Sequence, residues 1–559
     1  MNIRSIAAGL VGVSVLALTC APARAQDVGA ISGERMSGIT RILASDEFEG
    51  RAPGTPGETK TVEYLVAQFK ALGLEPGAGD GGWTQAVPLV RTQVPDEAKM
   101  SVTVAGTKLP LVQHENVEVL SLRPVDRVVI EAAPLVFVGY GASAPERDWD
   151  DYKSIDLRGK VAVFLINDPD FEAGPGDAVS GRFGGKAATY YARWTYKYDE
   201  AARRGAIGAL IVHETPGAGY PWSTAIASGG EGFDVVRVDP ARDKVLLQAW
   251  LHRDTAVAIF GKAGLDFEAL KAQARKADFK PVMLAGATLS ADYPLAHSRL
   301  ESRNVIARLP GSTRPAETVM IGAHWDAYGI GEPDESGDRI RRGAADDALG
   351  VAGVLEVARA FAKGPRPARS LVFACWTAEE RGLLGSEYYA EHPIYPLPTT
   401  AANLTIDVLQ TAGPSRDVVL IGAGQSSLER LLASEAAKQG RTVTPDAKPE
   451  RGLAFRADHF PLAKRGVPAL LLMAIGGGPD LVVGGREAGD RWVADYTERC
   501  YHKACDAWSA DWNMLGAAQD VALIYGMARD LADSRQWPTW NAGSEFGAVR
   551  DKTSAQRAD

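Results

Sequence analysis

Apolar and polar positions divide the chain into three rhythms. From about Ile31 to Gly73 the apolar residues recur at helical spacing, with Tyr64, Leu65, Phe69 and Leu72 on one side and Gly73 as a stop. From about Val125 to Val282 short apolar runs dominate, among them VVIEAAPLVFVGYG, GKVAVFLIND and GALIVHE, which predict strands; Tyr190 to Arg204 carries amphipathic helical spacing. From Asn304 onward apolar runs alternate with helical segments. The runs NVIARL, ETVMIGAHWDA, RSLVFACW, ANLTIDVL, DVVLIGA and VPALLLM predict strands, and segments near 346–362, 381–391, 426–438 and 512–533 predict helices. That alternation predicts an α/β domain with a mixed, largely parallel sheet flanked by helices. No repeat of fixed period or low-complexity tract interrupts it.

Composition fits a folded chain with one or more large cores: 559 residues, 46% apolar. The net charge of −9 gives no electrostatic reason to expect a nucleic-acid partner. At the start, Arg4, the apolar stretch Ile6 to Leu18 and Ala23-Arg24-Ala25 read as a signal peptide cleaved near Ala25. The stretch falls short of the roughly 18 to 20 apolar residues a membrane span needs. We therefore expect no stable span and an exported protein, periplasmic or secreted. Cys375 reads as a core thiol, whereas Cys500 and Cys505 are close enough to pair in such a compartment.

Polar residues gather where the predicted strands of the third region end, the edge at which α/β sheets bind ligands. Glu379 and Glu380 follow RSLVFACW; His324 and Asp326 end ETVMIGAHWDA, where a period of two puts them on one face. A metal-bound imidazole needs its second nitrogen held by an acceptor, and Asp326 is placed to supply it for His324. Asp346 and Asp347 lie in a glycine-flanked turn before an apolar helix, Asp407 ends ANLTIDVL, and His502 stands between the two cysteines. Each has a plainer reading, as a solvated pair, a helix cap or a surface group.

Together, His324-Trp-Asp326, Gly343-Ala-Ala-Asp346-Asp347-Ala-Leu-Gly350, Glu379-Glu380, Asn403-Leu-Thr-Ile-Asp407 and Tyr501-His502 resemble the co-catalytic dizinc exopeptidases, a family that includes bacterial aminopeptidases and glutamate carboxypeptidase. LASDEFEGRAPGTPG and FRADHFPLAKRGVPAL are similar to further segments of those enzymes. With the signal peptide at 1–25, the resemblance implies an N-terminal part of the peptidase domain at 26–120, a protease-associated domain inserted at 121–290, and the dizinc peptidase domain at 291–559. It implies that His324, Asp346 and Asp407 hold one zinc, that Asp346, Glu380 and His502 hold the other, and that the Asp346–Asp347 peptide is cis. Glu379, not needed as a ligand, becomes the general base toward a water between two Zn2+ ions, with Asp326 assisting. Tyr501 becomes a candidate donor to the oxyanion, and a Cys500–Cys505 disulfide would brace the last ligand loop.

Arg341 and Arg342 depart from the pattern. They invite either a substrate carboxylate or the nearby Asp334, Glu335 and Asp338. Leu349 also departs and is expected only to pack. His459 reads as a structural histidine. The leading expectation is an aminopeptidase acting on peptides. A carboxypeptidase or dipeptidase with acidic or carboxyl-terminal preference is the alternative, and a non-catalytic binding protein on the same fold the remote one. Oligomeric state is not legible.

Overall fold

The computed structural model describes residues 31–557, so the expected signal peptide lies outside the described residues. Two eight-stranded sheets organise the chain. In the first, strands Glu231–Val235, Thr84–Gln93, Ala296–Leu309, Arg369–Trp376, Arg314–His324, Thr400–Ile406 and Ala469–Leu472 lie side by side in that order, with Glu75–Pro76 added to Ala296–Leu309. The last four run parallel, and the strands on the other side pair antiparallel. The sheet is thus mixed and parallel only where helices cross between strands. Ala296–Leu309 runs antiparallel to Arg369–Trp376 because it turns at residues 310–313 directly into Arg314–His324, with no crossover helix. Asp417–Leu420, expected among the α/β strands, pairs instead with Thr442–Pro445 in a separate two-stranded ribbon.

Helices cover the first sheet with their apolar sides. Leu349–Lys363 is buried along most of its length because its sequence is apolar nearly all round, and Leu515–Asp533 packs beside it. Leu349 is fully buried in this core. The amino-terminal helices Gly33–Leu43 and Pro56–Ala71 complete the layer, burying Met36, Leu43, Leu65 and Phe69.

The second sheet orders Thr107–Leu111, Lys99–Val104, Val282–Pro294, Arg127–Phe137, Val161–Leu165, Gly208–His213, Leu247–His252 and Val117–Leu120. It starts at Lys99, and one strand in the intervening sequence, Glu231–Val235, leaves it to edge the first sheet. The amphipathic run at 190–204 forms a short 3-10 turn and the helix Trp194–Arg203. Residues 188–220 lie against the segment 449–460 that precedes strand Ala469–Leu472: Ala188 N donates to Pro449 O at 3.1 Å, and Tyr190 meets Phe460 edge-on at 5.2 Å. A cleft of about 1630 Å³ lies between the two units. Among the described residues no helix is long and apolar enough to cross a membrane.

Candidate metal centre

Three adjacent parallel strands of the first sheet deliver the acidic and imidazole groups to one end of the cleft. His324 ends Arg314–His324, Glu379 and Glu380 follow Arg369–Trp376, and Asp407 follows Thr400–Ile406. Asp346 arrives from the turn before helix Leu349–Lys363, and His502 from the loop after residues 496–500. His324, Asp346 and Asp407 offer ligand atoms within 4.8 Å of one another, and so do Asp346, Glu380 and His502. Asp346 belongs to both groups: its Oδ1 lies 3.1 Å from His324 Nε2, and its Oδ2 lies 3.3 Å from His502 Nε2.

The turn that places Asp346 is cramped, which accounts for its glycines. Gly343 has φ +54°, and a Cβ there would sit 2.2 Å from the Asp346 carbonyl oxygen. At Gly350 a Cβ would meet Asp347 Oδ1 at 2.1 Å. The Asp346–Asp347 peptide is cis. Asp347, fully buried, accepts from Gly350 N at 3.0 Å, Val408 N at 3.3 Å and His324 N at 3.3 Å, so it ties the turn to two strand ends.

Asp326 acts differently from the sequence expectation. Its carboxylate stands 3.7 Å from His324 Nδ1, too far for a hydrogen bond, while its backbone carbonyl lies 3.1 Å from that nitrogen. A carbonyl only accepts, so Nδ1 carries the hydrogen and Nε2 presents its lone pair to the cluster. The Asp326 carboxylate instead accepts from Glu379 N at 3.0 Å and Glu380 N at 3.3 Å, fixing the backbone of both glutamates.

Arg342 does not reach the cleft. Adjacent residues of the strand Ile340–Arg341 and its continuation point to opposite sides, and Arg342 is taken by Asp46 at 2.7 Å and Asp338 at 2.6 Å. Arg341 lines the cleft, its guanidinium lying over Gly331, where a Cβ would be 1.3 Å away. Tyr501 also lines the cleft, its ring 3.7 Å from that of His502. Cys500 and Cys505 are disulfide-bonded across His502, and Cys375 is a buried free thiol. His459 donates from Nε2 to Ala454 O at 2.8 Å, outside both ligand groups.

Four residues of this centre escaped the sequence reading. Tyr328 places its hydroxyl 3.2 Å from His502 Nδ1, and Arg381 lies over the Tyr328 ring at 5.1 Å. Asp506, immediately after Cys505, accepts from Ala345 N at 2.9 Å, Asp346 N at 3.1 Å and Tyr496 Oη at 3.1 Å. Arg51, with no exposed surface, donates to the carbonyls of Trp325, Leu43, Arg342 and Gly343 at 2.6 to 2.9 Å, clamping the His324 strand end to the Asp346 turn. Tyr328 stands in HWDAYG beside a ligand, which was the one local signal.

The electrostatics are those of a site short of positive charge. Burial and the neighbouring Asp407, Asp458 and Glu380 push the Glu379 carboxyl well above its ordinary range, only partly opposed by His324. Glu380 is raised the same way, and burial with Asp346 nearby lifts Asp407 to about 8. Burial opposes ionisation of Asp346 too, but the neighbouring His324 and His502 imidazoles hold its carboxyl below the usual carboxylate range. Asp346 Oδ2 is buried without a hydrogen bond. A carboxylate shared by two oxygen-and-imidazole groups, one of its oxygens orphaned, fits a pair of zinc ions.

Residues 304–525 match Peptidase family M28, so the likeness to dizinc exopeptidases stands. The chain is similar to leupeptin-inactivating enzyme 1 of Streptomyces exfoliatus, 28% identical over 209 residues that make up 36% of this chain and 43% of that one. It is similar to a glutamate carboxypeptidase 2 homolog of Caenorhabditis briggsae, 32% identical over 33% of this chain and 23% of that one. A solved aminopeptidase from Aneurinibacillus sp. strain AM-1 aligns over 90% of this chain and 95% of its own at 20% identity and a TM-score of 0.48. The chain spans less than half the length of the curated relatives it matches.

Proposed function

With residues 304–525 matching Peptidase family M28, we propose that this protein is a dizinc metallo-exopeptidase that removes residues from the amino end of peptides. The observation that carries the reading is the sharing of Asp346 by two ligand groups, His324 and Asp407 on one side, Glu380 and His502 on the other. A zinc pair held there supplies Lewis-acid polarisation of a carbonyl and acidification of water.

The rest is work for the chain's own residues. Glu379 Oε2 lies 3.9 Å from His324 Nε2, at the edge of the ligand cluster and facing the cleft. Its raised proton affinity suits a base that takes a proton from the attacking water and returns it to the leaving amine. Asp326 holds Glu379 for that transfer through its backbone. Burial and the charges of Asp346, Glu380 and Asp407 keep the Tyr501 phenol protonated, a donor for the oxygen that gains charge. Tyr328 fixes the ring of His502, and the disulfide closes its loop.

We assign the span 121–290 to a protease-associated insertion whose aromatic residues roof the cleft and favour chain ends. The leader at 1–25 places the enzyme outside the cytoplasm. The test uses zinc-loaded protein with peptides blocked at either end. Cleavage that requires a free amino end supports the aminopeptidase, and cleavage that survives an amino-terminal block overturns it.

A further inference from the structure

The first sheet ends at strand Glu231–Val235, and among the described residues no strand pairs with its outer side. That side opens on the cleft, which Glu231, Gly232, Phe233 and Asp234 line together with Glu379 and Tyr501. The hydrogen bonds show which backbone groups face outward. Val94 N donates to Gly230 O at 3.0 Å and Val236 N to Pro88 O at 2.9 Å, so Gly230, Gly232, Asp234 and Val236 turn their backbone toward Thr84–Gln93. Glu231, Phe233 and Val235 turn theirs away. Glu231 N donates to Ser228 O at 3.0 Å and Val235 N to Asp234 Oδ1 at 2.9 Å. Phe233 is the exception: among the described residues its N–H has no acceptor and its carbonyl no donor.

Sheet edges are usually guarded by charge or covered by another element. The charges of this edge are neutralised instead. Glu231 accepts from Arg91 Nε at 2.6 Å and lies 3.4 Å from Arg381, and Asp234 pairs with Arg237 at 2.8 Å. Arg381 also ties the edge to the metal centre. Its guanidinium lies over the Phe233 ring at 4.9 Å and over the Tyr328 ring at 5.1 Å, and the Tyr328 hydroxyl stands 3.2 Å from His502 Nδ1. Phe233 and Tyr328 thus flank one guanidinium, a span that an extended peptide covers in about three residues.

Resting on the peptidase reading, we propose that the outer edge of Glu231–Val235 takes the substrate as an added strand. The chain beyond the scissile bond lies extended along the edge, and one of its residues exchanges both main-chain hydrogen bonds with Phe233. Recognition of this kind draws affinity from the backbone, which suits an enzyme that meets a new sequence after each residue it removes. It favours peptides of several residues over dipeptides, and it gives a role to the one strand that the insertion lends to the first sheet.

The test compares leucyl-alanine amide with leucyl-tetraalanine amide on zinc-loaded full-length protein. The longer peptide should have the lower KM, by about 3- to 30-fold for one or two main-chain bonds. A single N-methyl group moved along it should raise KM at the amide that meets the Phe233 carbonyl and spare the amides on either side, which point away. Phe233→Pro removes the free donor at an edge position where proline is tolerated. It should cut the advantage of the longer peptide about 3- to 10-fold relative to Phe233→Ala, which loses the ring and keeps the donor. Equal advantages in the two variants, or a scan without a single sensitive position, overturn the added strand; the scan needs no variant and decides alone if Phe233→Pro fails to fold. Calorimetry with leucyl-tetraalanine amide whose first bond is reduced to an amine reads the contact without turnover. Binding weakened by the same single N-methyl group supports the strand edge even if no peptide is cleaved, in which case the peptidase reading alone fails. Equal binding of the methylated and unmethylated forms overturns the strand edge and leaves the peptidase reading standing.

Discussion

Beside the second sheet the ammonium of Lys197, with no exposed surface, is met by the carbonyls of Tyr140, Asn167 and Tyr191. The carboxylates near it are satisfied in turn. Asp168 accepts from Thr189 N at 2.8 Å and Thr189 Oγ1 at 2.9 Å, and Asp151 from Trp149 Nε1 at 2.7 Å and Ala142 N at 2.9 Å. At the end of the first sheet Asp346 and Asp407 are buried and Glu379 and Glu380 half-buried beside them, and among the described residues the side chains of Asp407 and Glu379 accept no hydrogen bond. Burial of charge is common to both regions. Completion within the chain separates them: a closed network holds the fold, and an open one of a single sign awaits cations.

The sharpest break of that comparison is Asp346→Asn. Removing the carboxylate common to both ligand groups should abolish stoichiometric zinc binding and lower peptide hydrolysis on the order of 1000-fold or more, since the several kcal/mol of metal assistance are lost together. Zinc content by atomic emission and kcat/KM check it, and a variant that keeps two zinc ions per chain would sink the shared-ligand reading. Glu379→Gln divides metal holding from proton transfer. Zinc content should stay while kcat drops about 100- to 10,000-fold.

His324, Glu379, Glu380 and Asp407 were legible in the sequence because they end adjacent parallel strands, and the order of a parallel sheet brings strand ends together whatever the loops between them do. Asp346 and His502 arrive from a turn and a loop, and only the resemblance pointed to them. What the sequence hid depends on where single side chains turn. Asp326 sits two residues from His324, yet its carboxylate serves the glutamates because the chain bends after the strand and brings the backbone carbonyl to the imidazole. Arg341 and Arg342 looked alike as neighbours, but strand alternation leaves one at the cleft and gives the other to Asp46, nearly 300 residues distant. Lys197 and its carbonyl cage left no trace, because its partners are backbone atoms from three separated segments. Arg51 was hidden for the same reason.

The closed network is broken by Lys197→Met. Three carbonyls lose their donor and Asp151 and Asp168 lose their nearest cation, which should cost about 3 to 5 kcal/mol of stability. Zinc content and kcat per folded molecule should not change. Denaturant midpoints beside zinc assays test this, and loss of zinc in the variant would show that the two regions are not independent. A smaller effect is expected between the regions, where Tyr328→Phe removes the hydroxyl at His502 Nδ1. Supporting partners of this kind are worth about 10- to 100-fold in metal affinity, read by competition with a chelator, and the ion shared by His324 and Asp407 should be lost no more easily than before.

His459 adds a third way to bury a titratable group, by discharging it. It lies on the segment between the two regions, nine-tenths or more buried, with only Ala454 O as partner, and burial lowers it from 6.5 to about 4. A base depressed in the folded state binds fewer protons there than in the unfolded chain. Its contribution is therefore fully present above pH 6.5 and lost as pH falls through about 4. The shift corresponds to about 3 kcal/mol between those limits. His459→Gln retains a donor for Ala454 O but cannot titrate, so its stability should fall less steeply between pH 6.5 and 4 than that of the parent, with the two profiles parallel above pH 7. Parallel profiles throughout would mean that His459 binds protons equally in the folded and unfolded chains, and burial would then not discharge it.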